Sequence, residues 1–255
     1  CFCQCENDSA VEIRNSLEQK MRRLFPGLLM ALLLLLPSCA RINTGMTDGT
    51  YFYPLEPFTG VKVGDDVFTR IYVQPGEPGI EITCDENLRN YIYGKILNGV
   101  LHFGVRSNVV PGTSVDMEVR IYTESLSYLE VADNTRVGVY GDVTGDLEIK
   151  LTDHSNVRCN SLDLDNLTIN ATGGGAVLKG KARKAVMKCY SGASVMDFNL
   201  SIEDLIIYMS GASRAELSVN NTINADLRGG STFTYRGDAY VQSEKLSGGS
   251  VLRKE

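Results

Sequence analysis

The sequence contains no tryptophan and only two histidines, His102 and His154. Beyond residue 39 it has three cysteines, Cys84, Cys159 and Cys189, at no regular spacing. This predicts no disulfide framework, although one bridge among the three stays open. Transition-metal sites need Cys, His or carboxylate ligands clustered at short spacings, so no metal site is predicted. No nucleotide fingerprint or phosphate loop is present, and no cofactor is expected.

The sequence also lacks an excess of positive charge. Lys and Arg total 25 against 31 Asp and Glu, which gives a net charge of −6. Residues 1–38 carry four residues of each sign, so the remaining chain keeps the same net charge. Proteins that bind nucleic acid present a basic face, and this balance argues against nucleic acid as a partner.

The first hydrophobic run has the layout of a secretory signal peptide over residues 21–38. Met21 is followed by two arginines and then by an uncharged stretch from Leu24 to Leu36. That stretch of about 13 residues would span roughly 20 Å as a helix, which is too short for the ~30 Å hydrocarbon core of a membrane. Residues 1–20, which include alternating cysteines without a second ligand pair, are interpreted as an upstream extension outside the native protein.

The run ends in Leu36-Pro37-Ser38-Cys39, which resembles a bacterial lipobox. In a lipobox the cysteine is lipidated and becomes the first residue of the mature protein, so Cys39 is predicted to anchor the chain to a membrane. The alternative is ordinary signal cleavage beside an incidental cysteine. The predicted location is the outer membrane. Because Ala40-Arg41-Ile42-Asn43 carries no acidic cluster, a periplasm-facing anchor is favoured over the cell surface.

Residues 39–50 are small and polar, as expected of a tether, and residues 51–128 form a β-rich portion. Strands are predicted in this portion at 67–73, 80–84, 100–105 and 115–122. A short helix is predicted from Asp85 to Tyr93, with Asp85 as its N-cap and Leu88, Tyr91 and Ile92 inward.

Residues 129–255 repeat about every 19 residues. A small or polar corner motif ends at positions 135, 155, 175, 194, 213, 231 and 250, and Ser-Gly-Ala-Ser occurs twice, at 191–194 and 210–213. Apolar residues alternate with period two on both sides of each corner, which indicates short strands rather than helices. Two positions depart from this alternation, Lys179 and Lys188, and they predict irregular third and fourth coils.

A unit of this size cannot bury its own apolar face but can do so when stacked on its neighbours. The prediction is therefore an all-β fold, a parallel β-helix or solenoid preceded by the β-rich portion. An antiparallel sandwich is the alternative, because its strands also recur every 8–12 residues.

The chain resembles the head GIN domain family of auto-transporter adhesins over roughly residues 57–250. The matching segments are 57–61 (PFTGV), 67–73 (VFTRIYV), 85–88 (DENL) and the late Ser-Gly-Ala-Ser corners. The resemblance implies a right-handed β-helix in exported proteins, often lipoproteins of Bacteroidetes-like bacteria. It implies no established activity and transfers no functional residues.

β-Helices also include polysaccharide lyases and hydrolases, and glycoside hydrolysis needs two flanking carboxylates. The candidates are Asp133 with Asp153 at equivalent corners, and Asp163 with Asp165 on one strand. Asp in a turn usually bonds to the backbone, and alternating Asp on a strand marks a solvated face. His154 lies beside Asp153 but has no recognisable nucleophile. A protein without enzymatic activity is predicted, with a carbohydrate-active enzyme as the alternative.

The strongest local charge is a basic coil that consists of Lys179, Lys181, Arg183, Lys184 and Lys188. The favoured interpretation is a solvated outer face, and the functional hypothesis is an anion-binding patch for acidic glycan, lipid A phosphate or another protein. A second hypothesis is that exposed aromatic rings form platforms for sugars. Its candidates are Tyr190, Tyr208 and Tyr240, whereas Phe233 and Tyr235 follow the inward pattern and are predicted to pack in the core.

Overall fold

The computed structural model describes residues 40–42, 48–86, 88–105, 109–111 and 117–255. The predicted upstream extension, the signal peptide and Cys39 lie outside these residues. Within them the regular elements are strands, apart from a 3-10 helix at Arg89–Tyr91. The strands are β1 (Ala40–Ile42), β2 (Asp48–Pro54), β3 (Gly60–Val63), β4 (Thr69–Val73), β5 (Gly79–Asp85), β6 (Ile92–Leu97), β7 (Val100–Val105), β8 (Val109–Pro111), β9 (Glu118–Thr123), β10 (Tyr128–Val131), β11 (Arg136–Tyr140), β12 (Val143–Thr152), β13 (Asn156–Thr172), β14 (Gly175–Tyr190), β15 (Ser194–Met209), β16 (Arg214–Leu227), β17 (Thr232–Arg236), β18 (Tyr240–Leu246) and β19 (Val251–Lys254).

The predicted parallel β-helix is confirmed. Strands β12 to β16 pair in parallel, each with the next strand along the chain. Each long strand bends at two corners and so contributes to three faces of the solenoid. In β13 the first face is formed by residues 156–159, the second face by 162–164 and the third face by 166–172. Inward residues alternate as predicted. In the third-face column of Ile149, Ile169, Met187, Ile207 and Ala225, every side chain is at least 97% buried.

The two Ser-Gly-Ala-Ser corners are one residue out of register with each other. Ser194 pairs with Arg214 rather than with Ser213, so the buried residue at the earlier corner is Ala193. The backbone explains the offset. The left-handed pair of residues that makes the turn is Ser191-Gly192 at the first copy and Gly211-Ala212 at the second. Identical tetrapeptides therefore turn the chain at different places.

The prediction of irregular third and fourth coils is wrong for the same reason. Once the corner moves by one residue, the inward positions are occupied by Leu178 and Met187, which are almost fully buried. Lys179 and Lys188 then lie on the outside, where both are exposed. The apolar alternation continues along each face of these coils and shifts where the strand passes from one face to the next, with a bulge between Val177 and Gly180.

The solenoid also extends upstream of residue 129. Strand β3 pairs in parallel with β7 and β10, and β4 pairs in parallel with β9 and β11. Between β3 and β4, Asp65 and Asp66 adopt left-handed φ of 65° and 58°, like the later corners. Strands β2, β5 and β6 add antiparallel pairings to this end of the sheet. The β-rich portion and the repeats therefore share one continuous core.

The helix predicted from Asp85 to Tyr93 is wrong in extent. Strand β5 continues through Asp85, the 3-10 helix has a single turn, and β6 begins at Ile92. Only Leu88 of the three predicted inward residues is fully buried, so one turn is enough to bring it to the core. No helix within the described part of the chain is long and apolar enough to cross a membrane.

The buried cysteines make the free energy of unfolding depend on pH in the alkaline range. No disulfide joins Cys84, Cys159 and Cys189, the cysteines that the structure describes. Burial raises the pKa of the Cys159 thiol from 9.0 to about 11 and that of the Cys189 thiol from 9.0 to about 12. The unfolded chain releases these protons at lower pH than the folded chain does. Their contribution to the free energy of unfolding is therefore complete below pH 9.0 and is lost as pH rises through about 11 and 12.

We expect urea unfolding to show a lower free energy of unfolding at about pH 10.5 than at about pH 8. Other groups also titrate in this range, so the control is a variant with Cys159→Ala and Cys189→Ala. The fall should be smaller in that variant. An equal fall in both proteins would contradict the assignment to the thiols.

Candidate functional site

The basic coil is exposed, but the structure places its residues on different faces. Lys179 follows the first face, and Lys181 lies on the second face. Arg183 lies at the corner between the second and third faces, and Lys184 and Lys188 lie on the third face. The five cations therefore do not converge on one point of the surface.

Three of these cations contact carboxylates on neighbouring coils. The Nζ of Lys181 is 3.1 Å from the Oδ2 of Asp163, and the Nη2 of Arg183 is 3.2 Å from the Oδ1 of Asp165. The Nζ of Lys179 is 4.0 Å from Asp197. Among the described residues, Lys184 and Lys188 make no ion pair. The coil is thus largely a ladder of alternating charge, which weakens its attraction for an external anion.

The candidate catalytic carboxylates have other contacts or conformations. Asp163 and Asp165 are exposed and lie in the ion pairs just described. Asp133 and Asp153 adopt left-handed φ of 53° and 52°, so they form corners of the solenoid. His154 forms the second residue of such a corner, with φ of 61°. Within the described ranges, no group of three or more His, Cys, Asp or Glu side chains could hold a metal ion.

The prediction that Phe233 and Tyr235 pack in the core is confirmed. Phe233 and Tyr235 are buried, with ring centroids 5.9 Å apart. Tyr190, Tyr208 and Tyr240 are exposed. These three lie on or beside the third face.

The sequence analysis missed an aromatic ladder on the first face. Tyr72 stacks on Tyr122 with 5.4 Å between ring centroids and on Tyr140 with 5.3 Å. Phe52 extends the ladder beyond Tyr122 at 6.3 Å. The stacking follows from register, because strands β4, β9 and β11 place these tyrosines at equivalent positions. Tyr140 ends the ladder and is 40% exposed.

Beyond Tyr140 lies a depression of about 310 Å³, which we call the first-face groove. Two outward-facing positions in its floor are glycines, Gly138 and Gly175. They leave space, whereas the equivalent positions of neighbouring coils carry side chains. The remaining lining is aromatic, basic, polar and aliphatic: Phe68, Arg136, Val137, Tyr140, Asn156, Val157, Arg158, Ala176, Val177 and Ser194.

The charges around the first-face groove are unbalanced. Within the described part of the chain, Arg136 and Arg158 make no ion pair, and no carboxylate lines the groove.

Nearer the N-terminal end, arginines are paired with carboxylates. Arg70 contacts Glu118, and Arg120 contacts Glu118 and Glu81. Although burial alone would raise the pKa of Glu118, hydrogen bonds from Arg120 and the charge of Arg70 hold it below its ordinary value.

A larger cavity of about 460 Å³ lies between β2, β5 and β6. Its lining is mainly the end of the apolar core, including Ile80, Ile82 and Phe103. At its polar edge, the Nε of Arg89 donates a hydrogen bond of 2.9 Å to the hydroxyl of Tyr53. The Arg89 guanidinium also lies 4.4 Å from the centre of the Tyr51 ring. This cavity offers apolar surface but little charge.

This chain is similar to solved structures of proteins from Bacteroides and Parabacteroides species. A protein of Bacteroides fragilis described as a "putative adhesin" is 19% identical with a TM-score of 0.74, over 84% of this chain and 98% of that one. A "putative adhesin" of Parabacteroides merdae is 21% identical with a TM-score of 0.66, over 84% and 99%. A "putative lipid binding protein" of Parabacteroides distasonis is 15% identical with a TM-score of 0.68, over 85% and 100%. At these identities the likeness shows the fold.

The comparison with curated proteins found no match. A family model, described as "Putative auto-transporter adhesin, head GIN domain", matches residues 57–239. This range begins just before β3 and covers the coils through β17. The chain therefore belongs to the head GIN domain family, as the resemblance in its sequence predicted.

Proposed function

We propose that this chain is a lipid-anchored binding protein of the bacterial cell envelope, with the role of an adhesin. The observation that carries the proposal is the match of the adhesin family model to residues 57–239, which form most of the solenoid. The lipobox sequence that ends at Cys39 supports attachment to a membrane through lipid. The outer membrane is the proposed location. An adhesin must face outward to reach a surface outside the cell, so the cell surface is proposed here in place of the periplasm-facing anchor that the residues after Cys39 favour.

The surface of the solenoid supports binding rather than catalysis. The candidate carboxylates are engaged in ion pairs or in corners of the backbone. Stacked coils instead present flat faces on which equivalent side chains form columns about 4.8 Å apart. Such faces suit extended ligands such as polysaccharides or the surface of another protein.

The tether limits how far the body can stand from the membrane. Strand β2 begins at Asp48, nine positions after Cys39. A fully extended chain spans at most ~3.6 Å per residue, so this segment reaches roughly 30 Å. The solenoid would therefore act close to the membrane surface.

Replacing Cys39 with alanine tests the proposal. A diacylglyceryl group supplies the two chains that stable anchoring needs, so Cys39→Ala should leave the signal peptide uncleaved or release the protein from the membrane fraction. Cells with the variant should also lose attachment to surfaces coated with envelope or host polysaccharide. Fractionation, a labelled fatty acid and an attachment assay measure these three effects.

The matched control is Cys189→Ala, a buried cysteine of the solenoid, which should keep the protein lipidated and membrane-bound. Unchanged processing and membrane attachment in Cys39→Ala would contradict the anchor. The adhesin role would be contradicted if wild-type cells attached no better than a deletion strain to every coating. Depolymerisation of a polysaccharide by the purified chain would instead support a carbohydrate-active enzyme.

A further inference from the structure

We propose that the first-face groove binds an anionic saccharide, whose carboxylate or sulfate groups contact Arg136 and Arg158. The inference rests on the proposed adhesin function and names the chemical class of its ligand. The proposed anion site differs from the basic coil, which was the anion-binding candidate of the sequence analysis.

The first argument is charge. Arg136 and Arg158 are exposed cations without an ion pair in the described part of an acidic chain. Arg136 pairs in register with Asn156, and Arg158 pairs with Gly138. The two arginines are thus one coil and two residues apart, which places their Cα atoms about 8 Å from each other. An anion between or above the two guanidinium groups would be attracted by both, and this attraction would offset their mutual repulsion.

The second argument is the shape of the guanidinium groups. Arginine presents a planar fork of donors that matches carboxylate and sulfate oxygens with two parallel hydrogen bonds. Lysine in the basic coil is a point charge, and Lys181 contacts a carboxylate of its own chain. The groove therefore offers the better geometry for bidentate recognition of an external anion.

The third argument is the aromatic wall. Tyr72 stacks on one face of the Tyr140 ring, and Tyr140 itself lines the groove. Gly138 permits this position, because a Cβ there would lie only 3.0 Å from Cε2 of Tyr140. Phe68, 43% exposed, lines the groove as well. Aromatic faces beside a few polar groups are typical of sites that hold a ring-shaped ligand.

The fourth argument is the supply of neutral hydrogen-bonding groups for hydroxyls. Asn156 and Ser194 line the groove on either side of Gly175. A Cβ at position 175 would lie 2.8 Å from Oδ1 of Asn156 and 3.1 Å from Oγ of Ser194. The glycine thus leaves both polar groups accessible at the floor. Cations, ring faces and hydroxyl-binding groups together favour a saccharide over a simple anion.

The experiment measures binding of two probes, sulfated heparin oligosaccharides and oligogalacturonate, to the full chain in detergent micelles. Replacing Arg136 and Arg158 together with Gln should weaken binding at least tenfold, because two charge-assisted contacts are lost. The charge-matched control is Lys181→Gln with Arg183→Gln, which should change the dissociation constant less than about twofold. Melting temperatures of both variants should stay near that of the wild type, since exposed charges contribute little to folding.

The two probes distinguish sulfate from carboxylate as the preferred anion. No binding of either probe by the wild type would overturn the inference, and so would an equal loss in both double variants. The proposed function would survive that result if Cys39→Ala still released the protein and abolished attachment. Conversely, binding in the groove together with unchanged attachment of Cys39→Ala cells would preserve the saccharide site and remove the anchored adhesin role.

Discussion

Replacing Ile207 with aspartate should lower the free energy of unfolding by roughly 4 kcal/mol or more, enough to unfold a marginally stable solenoid. Ile207 has no exposed surface and pairs in register with Met187 below and Ala225 above. A carboxylate there would lose its hydration among apolar side chains without gaining an opposite charge. The protein must either bury the protonated acid or open the coil.

The matched control is the same substitution one residue earlier. Ile206 lies on the outside of the third face and is 38% exposed, so Ile206→Asp should cost less than about 1 kcal/mol. Urea unfolding followed by circular dichroism measures both values. Equal losses at the two positions would contradict the inward and outward assignment of β15.

Replacing Gly180 with alanine should have the second largest effect, a loss of about 3 kcal/mol or more. Gly180 has φ of +125°, a conformation that residues with a Cβ rarely adopt. An added Cβ would also lie 2.2 Å from the carbonyl oxygen of Leu162 and 2.6 Å from its nitrogen. Those atoms are backbone of the preceding coil, so relief of the overlap requires the two coils to separate.

Gly192→Ala is the control that separates the cost of a left-handed backbone conformation from the cost of steric overlap. Gly192 also has positive φ, at +77°, but an added Cβ would meet no atom within 4 Å. Only the left-handed conformation is then disfavoured, which costs roughly 1 kcal/mol. Thermal unfolding of the two variants should therefore differ clearly. A loss in Gly180→Ala as small as that in Gly192→Ala would mean that the coils adjust freely at this bulge.

The recurrence of corners and the period-two alternation were sufficient to predict the solenoid. Alternation about each corner identified Leu147, Leu167 and Leu205 as inward, and each of them is at least 97% buried. These features can be read from sequence because burial depends on the pattern of neighbouring residues along one strand. The positions of the third and fourth corners could not be read this way. There the backbone conformation, rather than the shared motif, decides where the chain turns.

The first-face groove depends on residues that no local pattern brings together. Phe68, Arg136, Tyr140 and Arg158 come from three coils and become neighbours through parallel register. The sequence showed a cluster of positive charge at 179–188 because those residues are adjacent in the chain. The structure places Asp163 and Asp165 of the preceding coil beside that cluster, whereas Arg136 and Arg158 have no carboxylate partner among the described residues.

The sequence by itself determined that the chain forms stacked coils with an apolar interior, because period-two burial and recurrent corners are local properties of the chain. It also carries the lipobox-like segment 36–39, on which the proposed lipidation of Cys39 rests. Only the tertiary structure decided the register of the coils, which charges neutralise each other and where a cavity opens. These features depend on contacts between residues about 20 positions apart or more, and a shift of one residue at a corner changes which side chains meet.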